Sequence, residues 1–125
     1  MVKSIITTIC VAILLLVGAI IESTFVKNQF NDFHDSLTIV YAKVDEHTAT
    51  PDDVYAVQKN WLEKKKSLHT IIPHTEIKEV DLWISEAVTL VRDKEWEDAI
   101  SKIEVLIELS EQIPKTFTLS LSNIL

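Results

Sequence analysis

The sequence predicts an all-α protein in which an N-terminal transmembrane helix continues into an antiparallel four-helix bundle or two stacked helical hairpins. Three observations carry this prediction: an uncharged apolar run covers residues 4–21, apolar residues then recur at steps of three and four, and the chain holds one Gly and three Pro. Sheets and tight hairpins need residues that adopt positive φ, so this composition favours helices. Of the 125 residues, those after the run have the number expected for a single domain.

The apolar run has the length of a membrane span. A helix over residues 4–21 covers about 27 Å, close to the thickness of the hydrocarbon core. A cleaved signal peptide is the alternative, because residues 17–19 offer small side chains at a cleavage site. The run continues through Ile20 and Ile21 without a polar cleavage region, which favours a retained anchor over residues 1–21.

The charges that flank the run predict its orientation. Lys3 precedes it and Glu22 follows it directly. Since positive charge is retained on the cytoplasmic side, the N-terminus is expected in the cytoplasm and the helical domain outside. The sequence therefore predicts a single-pass protein of the cell membrane with an extracytoplasmic domain.

The first helix of the domain is expected to be continuous with the span. No Gly or Pro lies between Gly18 and Pro51, so one rod from about Ser4 to Asp45 is predicted. The positions that form its apolar stripe after the span are Val26, Phe30, Phe33, Leu37, Val40 and Val44.

Three further amphipathic helices follow. Thr50 as N-cap and Pro51 at the first helical position start the second helix, which Pro73 ends. The third helix is expected over about residues 75–92, and the fourth from Trp96 to Pro114. Short connections make neighbouring helices antiparallel, so residues 22–114 are predicted to form one helical bundle domain.

Residues 115–125 are expected to form an extended apolar tail, because apolar residues alternate with polar ones in this segment. The tail either packs back along the bundle or docks on a partner protein or the membrane. Its candidate partner-binding residues are Phe117, Leu119, Leu121, Ile124 and Leu125.

Charge and cysteine content exclude several functions. From Glu22 onward the chain carries 11 basic and 19 acidic residues, a net charge of −8, which disfavours binding to nucleic acid or to anionic lipid headgroups. The single cysteine, Cys10, lies in the apolar run and offers no intrachain disulfide, thiolate cluster or catalytic thiol.

No catalytic or cofactor signature occurs in the sequence, so an enzymatic role and a bound cofactor are not expected. His69, His74 and Glu76 are the candidates for a metal site across the loop around Pro73. Their spacing differs from that of zinc helix motifs, and the competing interpretation is that these residues cap helices and face water. A hydrolase that acts on the cell envelope is the least favoured hypothesis, because no group of acid, base and nucleophile can be identified in the sequence.

Several local segments resemble a bacterial family of uncharacterised short proteins from Gram-positive spore-formers, each with an N-terminal membrane helix and an acidic helical domain of unknown function. They are the span at 4–21, WLEKKK at 61–66, HTEI at 74–77, EWEDA at 95–99 and LSLSNIL at 119–125. The resemblance implies no catalytic or ligand-binding residue. Because members of that family are sometimes encoded beside other small membrane proteins, including ones linked to sporulation, the resemblance implies an accessory subunit of an envelope or spore membrane assembly.

Two functional hypotheses follow. The first is a membrane-anchored module that binds another membrane or envelope protein through its bundle surface or its tail, for which an unfilled apolar groove is the discriminating feature. The alternative is a ligand- or metal-sensing four-helix domain that acts through a membrane partner, which requires polar residues around an interior cavity.

Overall fold

The computed structural model describes residues 1–124 and contains four helices: α1 (Val2–Asp45), α2 (Pro51–Leu68), α3 (His74–Arg92) and α4 (Trp96–Ile124). No strand occurs within this range, which confirms the all-α class. Leu125, one of the candidate partner-binding residues, lies outside the described residues.

Helix α1 is a single uninterrupted helix of 44 residues, which confirms the predicted rod. Its first part makes few contacts within the protein, and the predicted stripe from Val26 to Val44 is buried. The hydroxyls of Thr7 and Thr8 donate to the carbonyls of Lys3 and Ser4, so these two polar groups are satisfied within the helix.

The four helices form a closed ring in which each packs against its neighbours in sequence and α4 packs against α1. The short connections at 46–50, 69–73 and 93–95 make consecutive helices run in opposite directions. The arrangement confirms the predicted up-down bundle. Side chains that are at most 1% exposed in its centre include Phe30, Phe33, Leu37, Trp61, Leu68, Ile77, Ile84, Ile103 and Leu106.

A polar cluster surrounds the largest core side chain. The Trp61 ring packs on Phe33 with centroids 5.0 Å apart, and its indole Nε1 donates to Asp81 Oδ1 over 2.7 Å. The second carboxylate oxygen of Asp81 accepts from Lys65 Nζ, also at 2.7 Å. These contacts join α2 to α3 by pairing a buried donor that would otherwise lack an acceptor.

Two corners of the bundle use left-handed residues other than glycine. His47 and Lys94 have φ of 59° and 58°, and each directly follows the cap residue of α1 or α3. The N–H of Glu95 bonds to the carbonyl of Leu90, and that of Lys94 to Val91, which is the bond pattern of a Schellman motif. Both helices therefore end without the glycine that usually occupies this position.

The N-terminus of α2 is capped as the sequence predicted. The backbone N–H of Thr50 donates to Asp53 Oδ2 over 2.8 Å, and Lys43 Nζ on α1 lies 2.8 Å from Asp53 Oδ1. The hydrogen bond from Lys43, followed by that from Thr50, lowers the pKa of the Asp53 carboxyl. The cap thus ties the first corner to both helices that it joins.

The predicted end of the fourth helix at Pro114 is wrong, and so is the predicted extended tail from residue 115. Helix α4 continues through Pro114 to Ile124. A proline removes one backbone donor, here the bond to the Ser110 carbonyl, but its φ is compatible with a helix. Beyond it, Phe117, Leu121 and Ile124 recur at helical spacing and lie on the side of α4 that faces α1.

Candidate functional site

A groove lies between α1 and α4 at the end of the bundle that is nearest the apolar run. We call it the α1–α4 groove; it has a volume of about 700 Å³. It is an open cleft on the surface, separate from the packed interior. Its lining residues are Lys27, Asn31, His34, Ser110, Glu111, Pro114, Lys115, Thr118 and Leu119.

Helical spacing places both walls of the groove. Lys27, Asn31 and His34 follow each other by four and three residues, so they share one side of α1 next to its buried stripe. On α4, the buried residues Ser110 and Pro114 are among the lining residues. The Ser110 hydroxyl donates to the carbonyl of Ile107 over 2.6 Å, which satisfies this polar group within its own helix.

The charges around the groove are mixed. His34 Nε2 lies 3.0 Å from Glu111 Oε1 and links the two walls at one end. Near the other end stand Lys27 and Lys115, and neither has a carboxylate partner within residues 1–124. The groove thus combines an apolar floor with a rim of opposite charges.

A second groove, which we call the span groove, continues from the bundle onto the apolar run. It has a volume of about 670 Å³ and is lined mainly by apolar side chains, with Leu121 and Ile124 of α4 facing α1. Between the two grooves, Ser23 Oγ and Thr118 Oγ1 are hydrogen bonded at 2.9 Å. The residues of α1 that line it are Leu14, Leu15, Gly18, Ala19, Ile21, Glu22 and Phe25.

The candidate partner-binding residues of the predicted tail do not behave alike. Phe117 is half-buried and packs against the hydrophobic core, and Leu121 is half-buried in the span groove. Leu119 is 65% exposed and Ile124 is 80% exposed. Residues 1–124 therefore leave an apolar surface uncovered at the end of the bundle that is nearest the apolar run.

The candidate metal residues lie at the loop between α2 and α3. His69 is exposed, and its Nδ1 lies 3.0 Å from the carbonyl oxygen of Lys65 at the end of α2. His74 is the first residue of α3 and is exposed. The pKa of the Glu76 carboxyl is raised by its partial burial and, to a smaller extent, by the negative charge of Glu79. The structure does not bring His69, His74 and Glu76 together as a three-ligand group. Within residues 1–124, no other three His, Cys, Asp or Glu side chains form such a group either.

The α1–α4 groove was not predicted from the sequence. The spacing of Lys27, Asn31 and His34 places them on one polar side of α1, but nothing local identifies the helix that lies opposite. Because α4 was expected to end at Pro114, Thr118 and Leu119 were predicted to lie in an extended tail and not on this helix. The helical period of Phe117, Leu121 and Ile124 beyond Pro114 is the signal that indicates a continued helix, which carries Lys115, Thr118 and Leu119 into the groove.

The described residues contain one helix that is long and apolar enough to cross a membrane, namely α1. Its most apolar window has a mean hydropathy of 2.8 and no residue buried within the protein. A signal sequence near an N-terminus has the same properties. The apolar part of α1 thus has the character of a membrane anchor or a signal sequence.

Comparison with protein families matches residues 22–124 to a domain of unknown function (DUF4363). Comparisons with curated proteins and with solved structures give no match. The matched range begins directly after the apolar run and includes the bundle part of α1, from residue 22, together with α2, α3 and α4. Since it covers more than half of the sequence, the chain belongs to the DUF4363 family of domains of unknown function.

Proposed function

We propose that the protein is a membrane-anchored helical module whose bundle, outside the cytoplasm, binds another membrane or envelope protein. In this role it is a non-enzymatic accessory subunit of a cell-envelope or spore membrane assembly. The observation that carries the proposal is the continuity of α1, whose exposed apolar run leads without a break into the buried stripe of the bundle.

The continuity of α1 favours a retained anchor over a cleaved signal. Removal of residues 1–21 would create a free charged terminus in the middle of a helix, one turn before the buried Val26. It would also expose Leu121 of α4, which lines the span groove together with this part of α1. A rigid link between span and bundle suits a protein that holds a binding surface at a fixed distance from the membrane.

The composition of the interior supports binding on the outside of the bundle. A sensor of the four-helix type needs polar side chains around a central cavity. Within residues 1–124, Ser110 is the one buried polar residue, and its hydroxyl already donates to a backbone carbonyl. The end of the α1–α4 groove that lies farther from the apolar run, around Asn31, His34 and Glu111, is the surface that we assign to the partner.

A pair of matched substitutions tests this assignment. Asn31 lines the groove, whereas Gln112 is exposed on α4 outside it, and both are amides. Replacing either residue with arginine introduces the same side chain and one positive charge. In native membranes with a photo-crosslinking residue at position 31 or 112, we expect a defined protein adduct from position 31 alone. The adduct should be lost when Glu111→Lys removes the groove's acidic rim.

The binding assay uses Asn31→Arg with Gln112→Arg as its control. Asn31→Arg should no longer co-purify with the partner that crosslinking identified, whereas Gln112→Arg should still do so. Both variants should have the same helix content by circular dichroism. Equal co-purification by both variants, or equal adducts from both positions, would show that the groove is not the binding surface.

A further inference from the structure

Helix α4 runs past the level at which the apolar run of α1 ends. The hydrogen bond between Ser23 and Thr118 fixes the register, because Ser23 comes directly after Glu22, the first charged residue after the run. From Thr118, α4 continues six residues to Ile124, a rise of about 9 Å. Since α1 and α4 run in opposite directions, these turns lie beside the apolar run of α1.

The contacts of the last turns agree with this register. Leu121 and Ile124 face Leu14, Gly18 and Ala19 across the span groove. All three α1 residues belong to the predicted span. If α1 crosses a bilayer, the end of α4 occupies the same leaflet as the last turns of the span.

The composition of this segment suits an apolar environment. We call residues 116–124 the α4 foot; none of them is charged. Two of its hydroxyls are satisfied within the helix, with Thr118 bonded to the carbonyl of Pro114 at 3.0 Å and Ser122 to that of Thr118 at 3.1 Å. Such bonds let Ser and Thr enter lipid without an unpaired donor.

Charged residues resume where the headgroup layer is expected. Lys115 directly precedes the α4 foot, and Lys27 follows Glu22 by five residues on the opposite wall of the α1–α4 groove. Both are exposed and have no carboxylate partner among the described residues. Lysines at this depth extend their amines to lipid phosphates while their stems contact apolar surface.

We propose that the α4 foot is embedded in the bilayer beside α1, so that the protein contacts phospholipid with two helices. Leu119 and Ile124, which are 65% and 80% exposed, then contact acyl chains and not water. The end of the foot, about 9 Å below Thr118, then reaches through the interfacial layer into the outer hydrocarbon, whereas the hydroxyl of Ser120, only two residues after Thr118, lies nearer the headgroups. This inference rests on the proposed anchoring by α1.

The test measures the depth of single labels in the full chain. Purified protein with Cys10→Ser receives one new cysteine at a time, is labelled with a fluorophore and is reconstituted into phosphatidylcholine vesicles. Leu119→Cys and Ser120→Cys report on the α4 foot, Leu15→Cys on the span and Glu108→Cys on an exposed position of α4 higher in the bundle. Quenching by aqueous iodide is compared with quenching by doxyl groups on the lipid chains.

The proposal predicts that labels at 119 and 120 lose iodide quenching relative to 108 and gain doxyl quenching, as the label at 15 does. It is overturned if 119 and 120 are quenched by iodide like 108 while 15 remains shielded. In that case α1 still anchors the protein, and the exposed leucine face is left for a protein partner. If iodide also reaches 15, the anchoring itself is wrong, and both proposals fail.

Discussion

The hydrogen bond from Trp61 to Asp81 allows a quantitative test of the polar cluster around the core. In Asp81→Ala the indole N–H of Trp61, a residue only 1% exposed, loses its acceptor, which costs about 1–3 kcal/mol. The ion pair of Asp81 with Lys65 is also lost, but both side chains are about one third exposed, so it adds at most about 1 kcal/mol. We expect a total destabilisation of about 2 kcal/mol, which lowers the Tm by about 10 °C for a domain of this size.

Two control variants separate the contributions. Asp81→Asn keeps an acceptor oxygen for Trp61 and should lose no more than about 1 kcal/mol, as should Lys65→Met, which removes only the ion pair. The assay is thermal and urea unfolding of the full chain in detergent, followed by circular dichroism at 222 nm. Equal losses for Asp81→Ala and Asp81→Asn would show that the indole hydrogen bond does not contribute as argued.

Three further outcomes are expected from the same unfolding assay. Lys94→Gly should stabilise the protein by about 1 kcal/mol, because residue 94 has φ of 58°. As a control, glycine in place of the exposed helical residue Lys78 should destabilise it by a similar amount. If Lys94→Gly does not stabilise the protein, residue 94 is not strained as argued. The pKa of Asp53 is lowered by folding, so its contribution is complete at neutral pH and disappears as the pH falls through its folded-state pKa. The stability difference between wild type and Asp53→Asn should therefore begin to narrow below about pH 4, the ordinary pKa of an Asp carboxyl, and close as the pH falls through the lowered folded-state pKa; a gap independent of pH would refute this. Phe30→Ala should cost about 3–5 kcal/mol, since Phe30 is fully buried, against less than about 1 kcal/mol for the 61% exposed Ile39→Ala; comparable losses would argue against the core described above.

The sequence predicted those parts of the fold that depend on local signals. The stripe from Val26 to Val44 repeats at steps of three and four without an interruption, so both the continuity of α1 and its buried side follow from spacing alone. The start of α2 follows from Thr50 and Pro51, because an N-cap and a first-turn proline act within a few residues.

The parts that were missed depend on contacts between distant segments. Pro114 weakens a helix locally, yet the packing of Phe117 and Leu121 towards α1 is formed across nearly one hundred residues of sequence and outweighs that loss. The apolar alternation of Phe117, Leu119 and Leu121 also matched an extended segment, although the helical period with Ile124 was present in the same letters. The α1–α4 groove could not be predicted for the same reason, because its two walls, residues 27–34 and 110–119, are far apart in the sequence.

If α1 spans a bilayer as proposed, its unbroken course transmits any tilt of the span to the bundle. The part of α1 from Glu22 to Asp45 is about 36 Å long, so a tilt of about 20°, common for single helices, moves its far end sideways by about 12 Å. In a thinner bilayer such a helix would tilt further, and the corner at residues 46–50 would move closer to the lipid surface. Membrane thickness would thereby set the height at which the far end of the bundle meets its neighbours, without any change inside the bundle.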